Sequence, residues 1–232
     1  MKNEDLNIIT KAQVVIFDVD YTLVSGPRAK DYYSCYSRAI EAIVARELNL
    51  SPTQALDLVN RIRLSNGGRG ELSFKILNIR ESEWFDQILS LDPGNYLSPY
   101  PYLNSMLEKI KNSGVKLVIL SDGPKLQISK IAQAAGINLK FFDSIYGWER
   151  DQLKPKSNPN IFQEIADLYK CKTADLVMVG DSYEGDILPA IIMQVKTILV
   201  QPKQSNKYRG VWIKNIKELA DAIGGYSYVA IN

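Results

Sequence analysis

Three apolar stretches of this 232-residue chain end abruptly in polar residues of the kind that handle protons, cations and anions. Val14-Val15-Ile16-Phe17 runs into Asp18-Val19-Asp20-Tyr21-Thr22. Lys116-Leu117-Val118-Ile119-Leu120 runs into Ser121-Asp122-Gly123. Leu176-Val177-Met178-Val179 runs into Gly180-Asp181-Ser182, with Asp186 five residues past Asp181. A fourth stretch, Leu153-Lys154-Pro155-Lys156-Ser157-Asn158-Pro159-Asn160-Ile161-Phe162, sets lysines ahead of a helical pattern. Carboxylates gathered at one place repel one another unless a cation sits between them. Oxygen ligands suit a hard divalent ion, and magnesium also neutralises phosphate oxygens. A lysine and a hydroxyl at neighbouring positions would take the remaining phosphate charge. The chemistry these residue types point to is a carboxylate nucleophile acting on phosphate with magnesium.

The rest of the composition narrows the field. The chain has no histidine. Ser-His-Asp and Cys-His catalysis and His-ligated zinc are therefore excluded within it. General acid or base work falls to a carboxylate, Lys, Tyr or Cys. The net charge of +2 gives no electrostatic case for nucleic-acid binding. Cys35 and Cys171 are far apart and suggest neither a disulfide framework nor a thiolate metal site. The first residues, Met1-Lys2-Asn3-Glu4-Asp5-Leu6, lack a signal-peptide pattern, and apolar runs elsewhere are short. The expected setting is cytoplasmic, with a small-molecule partner and neither nucleic acid nor membrane. Oligomeric state is left open.

Short apolar runs of this kind read as buried parallel strands. Thr197-Ile198-Leu199-Val200 adds a further strand and Val211-Trp212-Ile213 a last short one. Amphipathic helices are expected between them, over 102–112, 126–135, 160–169 and 216–223, with Gly114, Gly136 and Gly224 as stops. The alternation predicts a doubly wound parallel α/β sheet. One region breaks the rhythm. Residues 29–48, 52–64 and 81–91 read as helices with no strand among them, Ser51 and Pro52 forming a helix start. The expectation is a core of residues 1–24 and 97–232 and an inserted all-helical unit of residues 25–96.

Taken together these segments resemble the haloacid dehalogenase superfamily of phosphohydrolases with a helical cap of the C1 type. The resemblance runs over nearly the whole chain, with all four family motifs in order. It implies that Asp18 attacks phosphorus to form an aspartyl-phosphate, and that Asp20 protonates the leaving oxygen and then activates water. It implies Mg2+ held by Asp18, the Asp20 carbonyl and Asp181, with Asp186 and Ser182 behind them. Ser121 would hold the phosphoryl oxygens, with Asp122, Thr22 and the loop residue Arg69 as further substrate contacts. The lysine motif departs from the family spacing Lys-Pro-x-Pro-x-x-Phe. Counting back from Phe162 and Pro159 reaches Lys156, with Ser157 where proline is usual. Lys154-Pro155 keeps the dipeptide but stands two residues early. Lys156 is the preferred candidate and Lys154 the alternative.

Each residue also has a plainer reading. Asp-x-Asp after a strand serves as a turn or cap, and Ser121 and Asp122 as caps. Arg61, Arg63, Arg69 and Arg80 read as surface charges, although a loop position brings Arg69 within reach of a substrate. Tyr32, Tyr33, Tyr36 and Trp84 read mainly as packing. A superfamily dehalogenase would lack Asp20. A sugar-phosphate mutase would keep it, and a non-catalytic phosphate- or protein-binding module would lose Asp18 or Asp181. The expected activity is hydrolysis of a small phosphomonoester, with the mutase and the binding module as alternatives.

Overall fold

The computed structural model describes residues 8–66, 70–149, 154–158, 160–204 and 206–224. In chain order its main elements are β1 (Val14–Phe17), α1 (Pro27–Glu47), α2 (Pro52–Ser65), α3 (Leu72–Ile76) and α4 (Ser82–Ser90). There follow α5 (Pro101–Asn112), β2 (Lys116–Pro124), α6 (Lys125–Ala134), β3 (Ser144–Trp148) and α7 (Ile161–Leu168). The chain continues through β4 (Leu176–Gly180), α8 (Leu188–Ile192), β5 (Lys196–Val200), β6 (Val211–Ile213) and α9 (Ile216–Gly224).

All neighbouring strands pair in parallel, in the order β3-β2-β1-β4-β5-β6. This is the doubly wound arrangement expected from the sequence. The apolar runs are continuous because both faces of the sheet are covered. Val15, Phe17, Leu117, Ile119, Val177 and Val179 pack beneath α5, α6 and α9. The alternate residues Val14, Ile16, Val118, Leu120, Leu176 and Met178 face Ile161, Phe162 and Ile165 of α7. The chain winds outward one way through β2 and β3, then the other way through β4 to β6. A crevice therefore opens beyond the carboxyl ends of β1 and β4, where the order reverses.

β3 is a strand that the sequence reading did not include. Ser144-Ile145-Tyr146-Gly147-Trp148 lies at the sheet edge, is largely half-buried, and carries a glycine that weakens its apolar signal. The glycine is there for space. A Cβ at Gly147 would come within 2.7 Å of Ile128 Cδ1 and 2.8 Å of the Lys125 Cα.

Between β1 and α5 the chain forms only helices among its described residues, α1 to α4. α1, α2 and α4 match the expected helices to within a few residues, and α3 is an additional short one. Ile40, Ile43 and Val44 of α1 bury themselves with Ala55 and Val59 of α2, Phe74 of α3, and Trp84, Phe85 and Ile88 of α4. Ser51 caps α2 in a reciprocal pair with Gln54, a feature worth about 1 kcal/mol. Trp148, at the end of β3, joins this same helical cluster. Among the described residues, no helix is long and apolar enough to cross a membrane.

Candidate active site

Asp18 is the first residue past β1 and is only 3% exposed. Its amide donates to the Val179 carbonyl at 2.9 Å, so the end of β1 is tied to the end of β4, where Asp181 emerges. The chain then turns sharply. Tyr21 has φ 59°, a left-handed conformation that a bulky residue rarely adopts. Its ring is held against Tyr33 of α1, with centroids 4.7 Å apart. Strain of this kind needs surrounding structure to hold it, and it occurs here beside Asp20. At the end of β4 the chain makes a π-helical turn over Tyr183–Ile187, with the Asp186 and Ile187 amides both donating to the Ser182 carbonyl. That turn brings Asp186 back to the strand end, where its Oδ2 accepts the Ser182 amide at 3.0 Å.

Lys156 draws these pieces together. Its ammonium donates to Asp18 Oδ1 at 2.5 Å and to Asp186 Oδ1 at 2.6 Å, although the two carboxylates come from different strands. Its backbone amide donates to Asp122 Oδ1 at 2.8 Å, which anchors the lysine turn to the end of β2. Beside it, Ser121 Oγ accepts the Gly123 amide at 3.0 Å, leaving the hydroxyl proton to point elsewhere. Gly123 keeps this corner open. A Cβ there would lie 3.3 Å from Ser121 Oγ and 4.0 Å from Asp20 Oδ2. Of the two candidate lysines, Lys156 is therefore the one against Asp18.

The charges do not balance. Burial, then repulsion from Asp186 and Asp20, pushes Asp18 up to about 8 against the pull of Lys156. Burial likewise raises Asp20 to about 6. Asp181 is held well above the usual carboxylate range by burial and by Asp18 and Asp186. Burial works against the Lys156 ammonium, but Asp18, Asp186 and Asp122 outweigh it and hold the lysine well above its ordinary value. One ammonium faces several carboxylates. Oxygens of Asp18, Asp181 and Asp186 lie within 4.8 Å of one another. A divalent cation with oxygen ligands fits that excess of buried negative charge. Both Asp186 oxygens are already engaged by Lys156 and Ser182. Nothing among the described residues donates a hydrogen bond to the Asp181 carboxylate, which leaves it and Asp18 as the freer donors.

The cleft above these residues has a volume of about 420 Å3, and its far wall belongs to the helices between β1 and β2. Asp18, Asp20, Ser121, Asp122, Lys156, Asp181, Ser182 and Asp186 all line it. Thr22, expected as a substrate contact, does not: it is fully buried, and its hydroxyl has no hydrogen-bond partner among the described residues. The tight turn after Asp20 points it into the protein. Arg69 lies outside the described residues. Sequence reasoning took Arg63, Tyr33, Tyr36 and Trp84 mainly for surface or packing, yet all four reach the cleft. Helical periodicity alone carries no signal for this, because the same α1 stripe both packs and faces the opening. The buried Tyr33 hydroxyl faces Asp20 and lowers its proton affinity, without completing a hydrogen bond of normal geometry. Arg63 bonds Asn60 at 2.7 Å and stands 3.8 Å from Glu41, and among the described residues its Nη2 has no hydrogen-bond partner.

The profile of one protein family, described as haloacid dehalogenase-like hydrolase, matches residues 12–192. This chain belongs to the haloacid dehalogenase-like hydrolases. It is 23% identical over 222 residues to a glyceraldehyde 3-phosphate phosphatase of Methanocaldococcus jannaschii, covering 90% of this chain and 96% of that protein. A phosphoglycolate phosphatase of Psychrobacter arcticus is 30% identical over 131 residues, 56% of this chain and 54% of that protein. Among solved structures, a haloacid dehalogenase phosphatase from Thermococcus onnurineus superposes with a TM-score of 0.62 at 22% identity, over 92% of this chain and 98% of its own. That last likeness shows the fold. With the named relatives, the family membership makes this chain a phosphatase of the haloacid dehalogenase-like group.

Proposed function

We propose that this phosphatase hydrolyses a small phosphomonoester with Mg2+, through an aspartyl-phosphate on Asp18. The observation that carries the reading is the Lys156 ammonium shared between Asp18 and Asp186, in a cleft that also holds Asp20, Ser121 and Asp181. Lys156 shields Asp18 from the negative phosphoryl group as the two approach. The Ser121 hydroxyl, its oxygen already accepting from Gly123, donates to a phosphoryl oxygen. Asp18 attacks phosphorus and the bond to the leaving oxygen breaks. Asp20 gives that oxygen its proton and later takes one from the water that cleaves the acyl-phosphate. Asp18, Asp181 and the Asp20 carbonyl would hold the magnesium, with Asp186 and Ser182 supporting them. When bound, the ion would neutralise phosphoryl charge. Asp122 lines the cleft and also anchors the lysine turn.

Residues 25–96 form the cap in this reading. The cap excludes water from the first step and selects the leaving group. A cleft of about 420 Å3 suits a substrate of a few carbons. Arg63, whose Nη2 makes no hydrogen bond among the described residues, favours a leaving group that carries an anionic or strongly polar end. The test is a phosphomonoester panel with Mg2+, including phosphoglycolate and glyceraldehyde 3-phosphate, with Asp18→Asn as the blank. Release of phosphate from one or a few small members, abolished by chelation, is expected. Release from none of them would sink the reading.

A further inference from the structure

Lys154 was the alternative motif lysine, and it does something else. Its ammonium donates to Glu81 Oε1 at 2.6 Å, and Glu81 precedes α4 of the helical insertion. It also stands 4.9 Å from the ring centre of Trp84, on α4, and 4.8 Å from that of Trp148, at the end of β3. The side chain is 10% exposed. A cation between two indole faces and a carboxylate, shielded from water, is held more firmly than an exposed ion pair. The neighbours are themselves fixed. Trp84 Nε1 donates to the Tyr36 carbonyl at 3.3 Å, and Trp148 meets Phe85 edge-on with centroids 4.6 Å apart. Lys154 therefore pins the core to the insertion at one point.

Its position in the chain gives that contact a consequence. Only Pro155 separates Lys154 from Lys156, and Pro155–Ser157 is a single tight turn closed by the Asn158 amide on the Pro155 carbonyl at 3.1 Å. Two residues with a proline between them have little slack. Movement of Lys154 is passed to the Lys156 backbone.

We propose that Lys154 is a positioning residue: by joining Glu81 and Trp84 of the cap to Trp148 of the sheet, it makes the placement of the Lys156 ammonium depend on the cap being docked. The proposal rests on the reading of Lys156 as the group that neutralises Asp18. In this arrangement the cleft is complete only when the cap is seated, which confines the first chemical step to a closed site.

The experiment uses Lys154→Met, Lys154→Arg, Glu81→Gln, Lys156→Met and the double variant Lys154→Met/Lys156→Met in the full chain, assayed on p-nitrophenyl phosphate with Mg2+. Lys154→Met is expected to lower kcat/KM by about 10- to 100-fold, as small misplacements of catalytic groups do. Glu81→Gln is expected to fall the same way by less, and Lys154→Arg to recover most of the loss. Lys154 itself lines the cleft, so the double variant separates a direct action from one through Lys156: it is expected to lose no more than Lys156→Met alone. A second readout is independent of turnover. Acetylation of Lys156, followed by mass spectrometry, should speed up in Lys154→Met and Glu81→Gln and stay slow in Lys154→Arg. Losses that multiply in the double variant, or unchanged Lys156 acetylation, would overturn the proposal. If Lys156→Met itself retains full activity, the proposed function fails instead. Should Lys154→Met not fold, Glu81→Gln, on the partly exposed cap side, decides the matter by the same two measurements.

Discussion

Asp18 and Asp20 are two residues apart and meet different surroundings, which gives them different work. Asp18 is paired with Lys156, yet burial raises it to about 8, so a further cation beside it is needed to hold it as an anion. Asp20 has no lysine on it, faces the Tyr33 hydroxyl, and is raised by burial to about 6. Replacing Asp18 by Asn should lower kcat by about 10³-fold or more, because an amide forms no acyl-phosphate. Wild-type turnover in that variant would remove the assignment. Replacing Asp20 by Asn should slow both steps and let phosphorylated enzyme accumulate, visible by intact mass after an acid quench. With Mg2+ bound to hold Asp18 as the anion, Asp20 protonated below about 6 is the group that titrates, so phosphoryl transfer to Asp18 should fall as pH rises through that value. Tyr33 lowers the Asp20 value, so Tyr33→Phe should move this falling limb to higher pH in single-turnover assays. A limb that stays in place would show that Tyr33 has no hold on Asp20. The acidic residues were legible in the sequence because each ends an apolar run. Arg63 and Tyr33 were not, because a side chain's direction across a cleft depends on how two helices pack.

At the scale of elements, the ends of β1, β2 and β4 present the chemistry, and short irregular turns aim it. The π-helical turn after β4 is the clearest case. It returns Asp186 so close to the strand that no side chain fits at Gly180. A Cβ there would lie 2.5 Å from the Asp186 Cβ. Gly180→Ala should therefore displace the Asp186 carboxylate and, through it, the Lys156 ammonium. The expected cost is about 1–3 kcal/mol of stability, seen as a lower Tm, with a fall in kcat/KM of about tenfold or more. An alanine variant with unchanged Tm and activity would mean that the turn is not packed as described. The sequence marked Gly180 only as part of a common turn dipeptide. The return of the chain over it is a tertiary fact, since Asp186 acquires its partner Lys156 from thirty residues away.

At the scale of the molecule, the sheet gathers more negative charge than its own lysine neutralises. Asp18 and Asp20 are pushed from an ordinary 3.8 up to about 8 and about 6, and Asp181 is raised as well. The folded protein then binds more protons than the unfolded chain between about pH 4 and pH 8. Stability contributed by these groups is present at low pH and is lost as pH rises through that window. A divalent cation replaces the missing protons and binds only the folded arrangement. Mg2+ should therefore raise Tm more at pH 8 than at pH 5, and Asp181→Asn should shrink the difference. A shift that is equal at the two pH values, or larger at pH 5, would count against a cation among these carboxylates.

The sequence by itself determined the parallel α/β sheet, the run of helices that follows β1 and the set of acidic residues at strand ends. Each of these depends on local pattern: apolar runs long enough to be buried on both faces, polar residues where the runs stop, and helical periodicity without strands between β1 and β2. The absence of histidine also settled, from composition alone, which chemistries the chain lacks. Tertiary structure decided which partner each residue meets. It put Lys156 on Asp18 and Lys154 on Glu81 and Trp84, although the two lysines stand in one short segment. It buried Thr22 beneath the turn that exposes Tyr21, and it brought Arg63 and Tyr33 to the cleft. It also made a strand of Ser144–Trp148, whose glycine is required by a helix packed against it. These outcomes come from contacts between residues distant in the chain, and such contacts leave no period in the sequence.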